Sequence, residues 1–169
     1  MDTTDQPTVS SLTLGDIPEV FRLINELADF EEAPDEVTMS LEELQADFSN
    51  GAFYGFGIKQ GKQLLGMAIC FTAYSSWKGR TLFLEDFIIS EEARRQGLGK
   101  QLFEEVVREA GRQDVRRMAW QVLRSNEGAI RFYENYGAEM DPEWTNGKLR
   151  RPQIQKLVAE MEGQEANAS

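Results

Sequence analysis

The chain contains no histidine, and Cys70 is its only cysteine. These absences remove whole classes of chemistry. An intrachain disulfide is impossible, zinc sites built from His and Cys are excluded, and Ser-His-Asp or Cys-His machinery lacks its activating base. Cys70 lies in the apolar run Met67-Ala68-Ile69-Cys70-Phe71, where a small buried thiol is the ordinary expectation. Any general base must be a carboxylate, a lysine, a tyrosine or a water held by one of them. No stretch approaches the ~18 apolar residues of a membrane span, so a cytoplasmic protein with no membrane partner is expected. Positive charge is scarce as well: 18 Lys and Arg stand against 29 Asp and Glu, a net charge of -11. A nucleic-acid partner, which needs clustered cations, is not expected. A cationic small molecule is electrostatically easier, although an acidic surface that only keeps the protein soluble fits the same balance.

What is present suffices for one core. A chain of 169 residues with 41% hydrophobic content predicts a single domain. Its ordered part is expected at about 8–158, with residues 1–7 and 159–169 flexible. Thr8 to Leu14 reads as a short strand, followed by Gly15 and the cap candidate Asp16. Ile17, Val20, Phe21, Ile24, Leu27 and Ala28 then follow helical spacing. Ser40 with Glu43 forms a capping-box pattern that opens a second helix to about Phe48. Strand texture follows at Phe53 to Lys59, Gln63 to Tyr74 and Thr81 to Ile89, an antiparallel meander with turn candidates at Gln60-Gly61 and Trp77-Lys78-Gly79. A helix then carries Leu98, Leu102, Phe103, Val106, Val107 and Ala110 on one face. Val115 to Leu123 is a further strand, and Ser125 or Asn126 caps a short helix that Gly137 stops. One or two weak strands complete an α+β order with a mixed sheet.

Three segments could carry chemistry. Arg94-Arg95-Gln96-Gly97-Leu98-Gly99-Lys100 follows a strand and opens a helix, so free amides and the positive end of a helix dipole could meet a pyrophosphate; a plain helix-start turn reads equally well. Leu84-Glu85-Asp86-Phe87-Ile88-Ile89 sets adjacent carboxylates in an apolar strand, one on each face by strand alternation. Burying them in a central strand is costly unless they are paired or hydrated, which asks for a purpose, and an edge strand with solvated carboxylates is the plainer reading. A partly buried Glu85 would have its pKa raised and could take a proton from an ammonium. Asn126 through Ala138 places Phe132, Tyr133 and Tyr136 at a spacing that by itself means packing.

Taken in order, these segments resemble the GNAT superfamily of acetyl-CoA-dependent acetyltransferases. Together with Trp77-Lys78-Gly79, they resemble more narrowly its diamine acetyltransferase family, which includes spermidine/spermine and thialysine acetyltransferases; the likeness runs from about Leu12 to Lys156. The resemblance implies a GNAT fold: a mixed, mostly antiparallel sheet with a splayed strand pair and helices on both faces. It implies acetyl-CoA as cosubstrate and no metal. The cosubstrate would be held by the backbone of Arg94, Arg95, Gln96, Gly97, Leu98, Gly99 and Lys100, the strand Phe87, Ile88 and Ile89, and by Asn126 and Tyr133. It further implies Glu85 as general base, Tyr133 as the acid that protonates the leaving thiolate, and direct attack in a ternary complex. Acceptor contacts fall to Glu31, Glu32, Trp77, Glu85 and Asp86, within a carboxylate set that also holds Asp35 and Glu36. Family members commonly form homodimers. Ahead of Trp77, where the polyamine-acting enzymes lead one to expect an acidic residue, stands Tyr74-Ser75-Ser76, which favours a shorter, lysine-like amine. A non-catalytic acyl-CoA sensor and a protein or peptide acetyltransferase are the competing readings.

Overall fold

The computed structural model describes residues 6–168, so residues 1–5 and Ser169, both within segments expected to be flexible, lie outside the described residues. The chain forms two compact units, one through Gln121 and one from Val122.

The first unit is built on a five-stranded sheet of order β1-β2-β3-β4-β5, with β1 Thr8–Ser11, β2 Tyr54–Gln60, β3 Gln63–Ser75, β4 Gly79–Ile89 and β5 Arg117–Trp120. The first four strands pair antiparallel, and β5 pairs parallel with β4. A parallel neighbour requires a crossover, which the helix α3, Leu98–Arg112, provides. The first strand is shorter than the sequence predicts, because Leu14–Asp16 tightens into a 3-10 turn. Asp16 does precede helix α1, Ile17–Phe30, but does not cap it. Its carboxylate accepts instead from the Thr13 amide at 2.7 Å, the Thr13 hydroxyl at 2.8 Å and Lys59 Nζ at 2.7 Å, tying the turn to β2. The β2–β3 turn falls one residue later than expected, with Gly61 at φ 61°.

Two layers of helix cover the sheet. On one face α1 buries Ile17, Val20 and Leu23, and helix α2, Leu41–Ser49, adds Leu44; these pack with Met67 and Ile69 of β3 and Ile88 of β4. Helix α2 starts as the sequence predicts, with reciprocal bonds between Ser40 and Glu43. Three polar ties hold α1 in place: Arg22 donates to the Leu64 carbonyl at 2.8 Å, Glu19 accepts from the Leu64 amide at 3.2 Å, and Glu26 accepts from the Glu91 amide at 2.9 Å. On the opposite face α3 buries Leu98, Leu102, Phe103 and Val106, while Val107, expected among them, is 44% exposed at the edge of that row. Phe103 meets Phe87 and Trp120 edge-on, at centroid distances of 6.0 and 5.9 Å. Cys70 is fully buried, as its apolar run predicts.

The second unit departs further from expectation. Helix α4, Glu127–Glu134, is capped by Asn126, and Gly137 at φ 79° closes it: the Gly137 amide donates to Glu134 and the Ala138 amide to Tyr133. Among the described residues no strand stands beyond it, and helix α5, Arg151–Ala168, runs into the segment expected as a tail. Ile154, Leu157, Val158 and Met161 recur at helical spacing there, a periodicity hidden in a polar, small-residue segment.

Phe103 is 2% exposed and joins α3 to two strands, so Phe103→Ala is expected to lower unfolding free energy by about 3–5 kcal/mol in a urea titration. A loss under about 1 kcal/mol would mean that α3 is not anchored by this contact.

Candidate active site

The register between β3 and β4 decides where the adjacent carboxylates point. Ile69 pairs with Asp86, but the next residue, Cys70, pairs with Leu84. Glu85 is therefore an extra residue on β4, a β-bulge. Simple alternation would send Glu85 and Asp86 to opposite faces; the bulge re-aims them toward the same one. That corrects the sequence expectation of one carboxylate per face. Both line a cavity of about 600 Å³ on the α1/α2 side of the sheet.

The remaining walls of that cavity are Phe21 and Ile24 of α1, Leu44 and Asp47 of α2, Glu36, Val37, Thr38 and Met39 between those helices, and Phe53, Ile69 and Phe71. Among the described residues no lysine or arginine lines it, while Glu36, Asp47, Glu85 and Asp86 do. The chamber is thus apolar in its walls and anionic at several points, a combination suited to an aliphatic cation.

The two β4 carboxyls differ in environment. Glu85 is exposed, not partly buried as expected, and it is Asp86 that is half-buried. Burial, then the negative charges of Glu85 and Glu31, push the Asp86 carboxyl up to about 6.

The positions assigned to the acceptor fall in different places. Of Glu31, Glu32, Trp77, Glu85 and Asp86, the cavity takes Glu85 and Asp86. Glu31 caps the end of α1 and acts on Asp86 only through its charge. Glu32 is exposed, with a left-handed φ of 57°, and Trp77 is 84% exposed in the β3–β4 turn. Asp47 and the apolar walls were not read from the sequence. The available signal for Asp47 was its position three residues after Leu44, on the inward row of α2.

A second feature lies where β4 ends. Pairing with β5 stops at Leu84, whereas β4 runs on to Ile89, so that from Glu85 onward no described strand covers that side of β4. This is the splayed pair expected from the resemblance. The Phe87 side chain faces α3 and Ile88 is core, leaving main chain as what this stretch offers a ligand. Directly after it, Arg95 at φ 65° and Gly97 at φ 74° bend the chain into α3. Gly97 occupies the cap position with no side-chain cap, and the Gln101 amide is bonded back to the Gly97 carbonyl at 3.3 Å. The amides of Leu98, Gly99 and Lys100 precede that bond and form the open, positive end of the helix. Arg94 donates from Nε to the Ile89 carbonyl at 3.1 Å and stacks 5.0 Å over Phe30, so its guanidinium braces the turn. Lys100 lies 3.8 Å from Glu104 on the surface.

In the second unit, Asn126 uses its side-chain oxygen to accept from the Ala129 amide at 3.1 Å, leaving its amide nitrogen as the group a ligand could meet. Tyr133 is buried, and burial raises its phenol to about 12, so it stays protonated at neutral pH.

Asp86 gives a pH test of this geometry. Its carboxyl moves from an ordinary 3.8 to about 6, so the folded state holds the proton more tightly than the unfolded chain. Stability is therefore lost as pH rises through that window, by on the order of 3 kcal/mol, and stays lower above it. Asp86→Asn removes the loss. Urea titrations from pH 4 to 7.5 should show the variant gaining on the wild type as pH rises, and a constant difference would mean that Asp86 titrates as in a free chain.

Comparison with known proteins bears on both features. The profile of the acetyltransferase (GNAT) family matches residues 19–138, a span that includes the bulge, the glycine turn and α4. Thialysine N-epsilon-acetyltransferase of Caenorhabditis elegans is 32% identical over 126 residues, 75% of this chain and 79% of that one. The Bos taurus enzyme of the same name is 34% identical over 135 residues, 74% of this chain and 79% of its own. In fold, an aminoglycoside acetyltransferase from an uncultured soil metagenomic sample superposes with a TM-score of 0.73 at 18% identity, over 85% of this chain and 97% of that one. With its bulged strand and glycine turn inside the matched span, the chain belongs to the GNAT family of acetyltransferases.

Proposed function

We propose that the protein is an acetyl-CoA-dependent N-acetyltransferase whose acceptor is a primary amine of a small cationic molecule: a diamine, a polyamine or, favoured here, a lysine-like amino acid. The observation that carries this reading is the cavity, whose apolar walls and four carboxylates, with no cation among them, complement an aliphatic ammonium. The likeness to thialysine acetyltransferases supports the same substrate class.

The glycine turn fits the other substrate. Left-handed Arg95 and Gly97 and the uncapped start of α3 make a cradle of amides suited to a pyrophosphate, and Gly97 keeps the approach open because no side chain stands there. In this reading the backbone from Arg94 to Lys100 holds the diphosphate, the uncovered side of β4 at Phe87 to Ile89 holds the pantetheine arm, and Asn126 adds a contact. Acetyl-CoA supplies the acyl group as a thioester, already activated for transfer.

The chain's own groups then manage protons and charge. Asp86, once ionised, holds the incoming ammonium. Glu85, beside it and open to solvent, removes the ammonium proton directly or through one water, which general-base catalysis makes worth about 100- to 10,000-fold. The neutral nitrogen attacks the thioester carbonyl, the carbon–sulfur bond breaks, Tyr133, protonated at neutral pH, gives a proton to the thiolate, and the second proton of the nitrogen passes back to Tyr133 as the amide forms. Strand amides beyond Leu84 steady the developing oxyanion. No histidine or activated thiol is required, in keeping with the composition. A homodimer in a cytoplasmic setting belongs to the same reading, and sedimentation of the purified chain tests the dimer.

Thiol release from acetyl-CoA, measured against lysine analogues, diamines, polyamines and lysine-containing peptides, tests the function. Release with small cationic amines is expected. CoA binding without release on any acceptor would replace the enzyme by a sensor, and release on peptides alone would move the acceptor to proteins. Glu85→Gln is expected to lower kcat by about 100-fold or more at neutral pH with CoA affinity retained, and Tyr133→Phe to slow turnover comparably. Full activity in either variant removes that residue from the proton path.

A further inference from the structure

Arg22, Glu26 and Phe30 stand at four-residue intervals on α1 and so form one row along the helix. Hydrogen bonds account for the first two: Arg22 donates to the Leu64 carbonyl, and Glu26 accepts from the Glu91 amide just before the glycine turn. Packing does not account for Phe30 in the same way. It is the last residue of α1, is 51% exposed and stands outside the core that Phe21, Ile24 and Leu27 of the same helix join. Its ring meets the Arg94 guanidinium instead, 5.0 Å from the ring centroid. Stacking occupies a face of a guanidinium and leaves its in-plane N–H donors available. Arg94 Nε donates to the Ile89 carbonyl at 3.1 Å, and among the described residues the terminal nitrogens have no hydrogen bond or ion pair.

We infer that Phe30 is a positioning residue for the acyl donor: its ring fixes the Arg94 guanidinium at the end of β4, so that the turn from Arg94 to Lys100 is preset for a diphosphate. The inference rests on the proposed use of acetyl-CoA and deepens it, because it makes donor affinity depend on a side chain outside the glycine turn. Arg94 directly precedes Arg95, whose left-handed φ of 65° is costly for a residue with a side chain. Anchoring the guanidinium on two sides, by the Ile89 carbonyl and by the ring, restricts the conformations this strained turn samples. Less order then has to be imposed when the anion binds. Without the ring, the guanidinium keeps one tether and can pivot about it. Because Phe21 and Ile24 line the acceptor cavity, α1 borders both proposed substrates.

The test compares acetyl-CoA, which carries the diphosphate, with S-acetylpantetheine, which lacks it, so that only the first donor reads the turn. In Phe30→Leu, which keeps an apolar side chain and removes the π face, KM for acetyl-CoA is expected to rise about 2- to 5-fold. The kcat at saturating donor, the KM of the amine and kcat/KM on S-acetylpantetheine should stay at wild-type values. Phe30→Tyr, which keeps a ring, should restore the KM for acetyl-CoA. An unchanged KM for acetyl-CoA in Phe30→Leu, or an equal loss on both donors, overturns the inference while acetyl transfer stands. Calorimetric titration of CoA into each protein separates this from failure of the enzyme reading. CoA binding that weakens in Phe30→Leu without turnover on any amine keeps the role of Phe30 and removes the catalysis, and absence of CoA binding by the wild-type protein removes both.

Discussion

One register shift organises the functional face of this protein. Between Ile69 and Cys70 the β3–β4 ladder slips by a residue, and the residue it leaves over is Glu85. Without that slip, Glu85 would point toward the α3 side, into the layer built by Phe103, Phe87 and Trp120. A carboxylate there would have no partner and would disrupt the packing that holds α3. With it, two like charges share one chamber, and their mutual repulsion adds to burial in raising Asp86. The fold thus accepts a local loss of stability at Asp86.

The same strand ends the sheet unevenly. On its β3 side β4 is paired from Gly79 to Ile89, so it is rigid; on its β5 side it is paired only as far as Leu84. A strand held firmly along one edge and uncovered along part of the other presents fixed main-chain groups to a ligand. Arg94 makes the continuation equally firm: bonded to the Ile89 carbonyl and stacked over Phe30, it sets the turn that delivers the chain to α3. The bulge and the open edge therefore start at the same residue, Glu85. That places the cavity's β4 carboxylates and the uncovered strand edge on consecutive backbone units.

Local rules carried much of this architecture. The Ser40–Glu43 box, the antiparallel meander of the three long strands and the glycine stop at Gly137 are short-range signals, and each stands in the structure as read. What the sequence concealed depends on longer range. A bulge leaves no mark in composition, since its position is set by how two strands align, so Glu85 and Asp86 read as facing opposite ways. Asp47 looked like any surface helix carboxylate because Phe71, Glu85 and Asp86, which line the cavity with it, are distant in sequence. Trp77, prominent in sequence, stands out in solvent. Helix α5 escaped because its apolar row is thin and its flanks are rich in small and acidic residues, which mimic a loose tail.

An acidic chamber presents a contradiction that its mixed lining resolves. Carboxylates attract an ammonium but also favour its charged form, which opposes the deprotonation that acetyl transfer requires. Apolar walls act in the other direction, because loss of water disfavours the charged amine. Asp86, raised to about 6, is mostly ionised at neutral pH, yet its burial keeps it near titration.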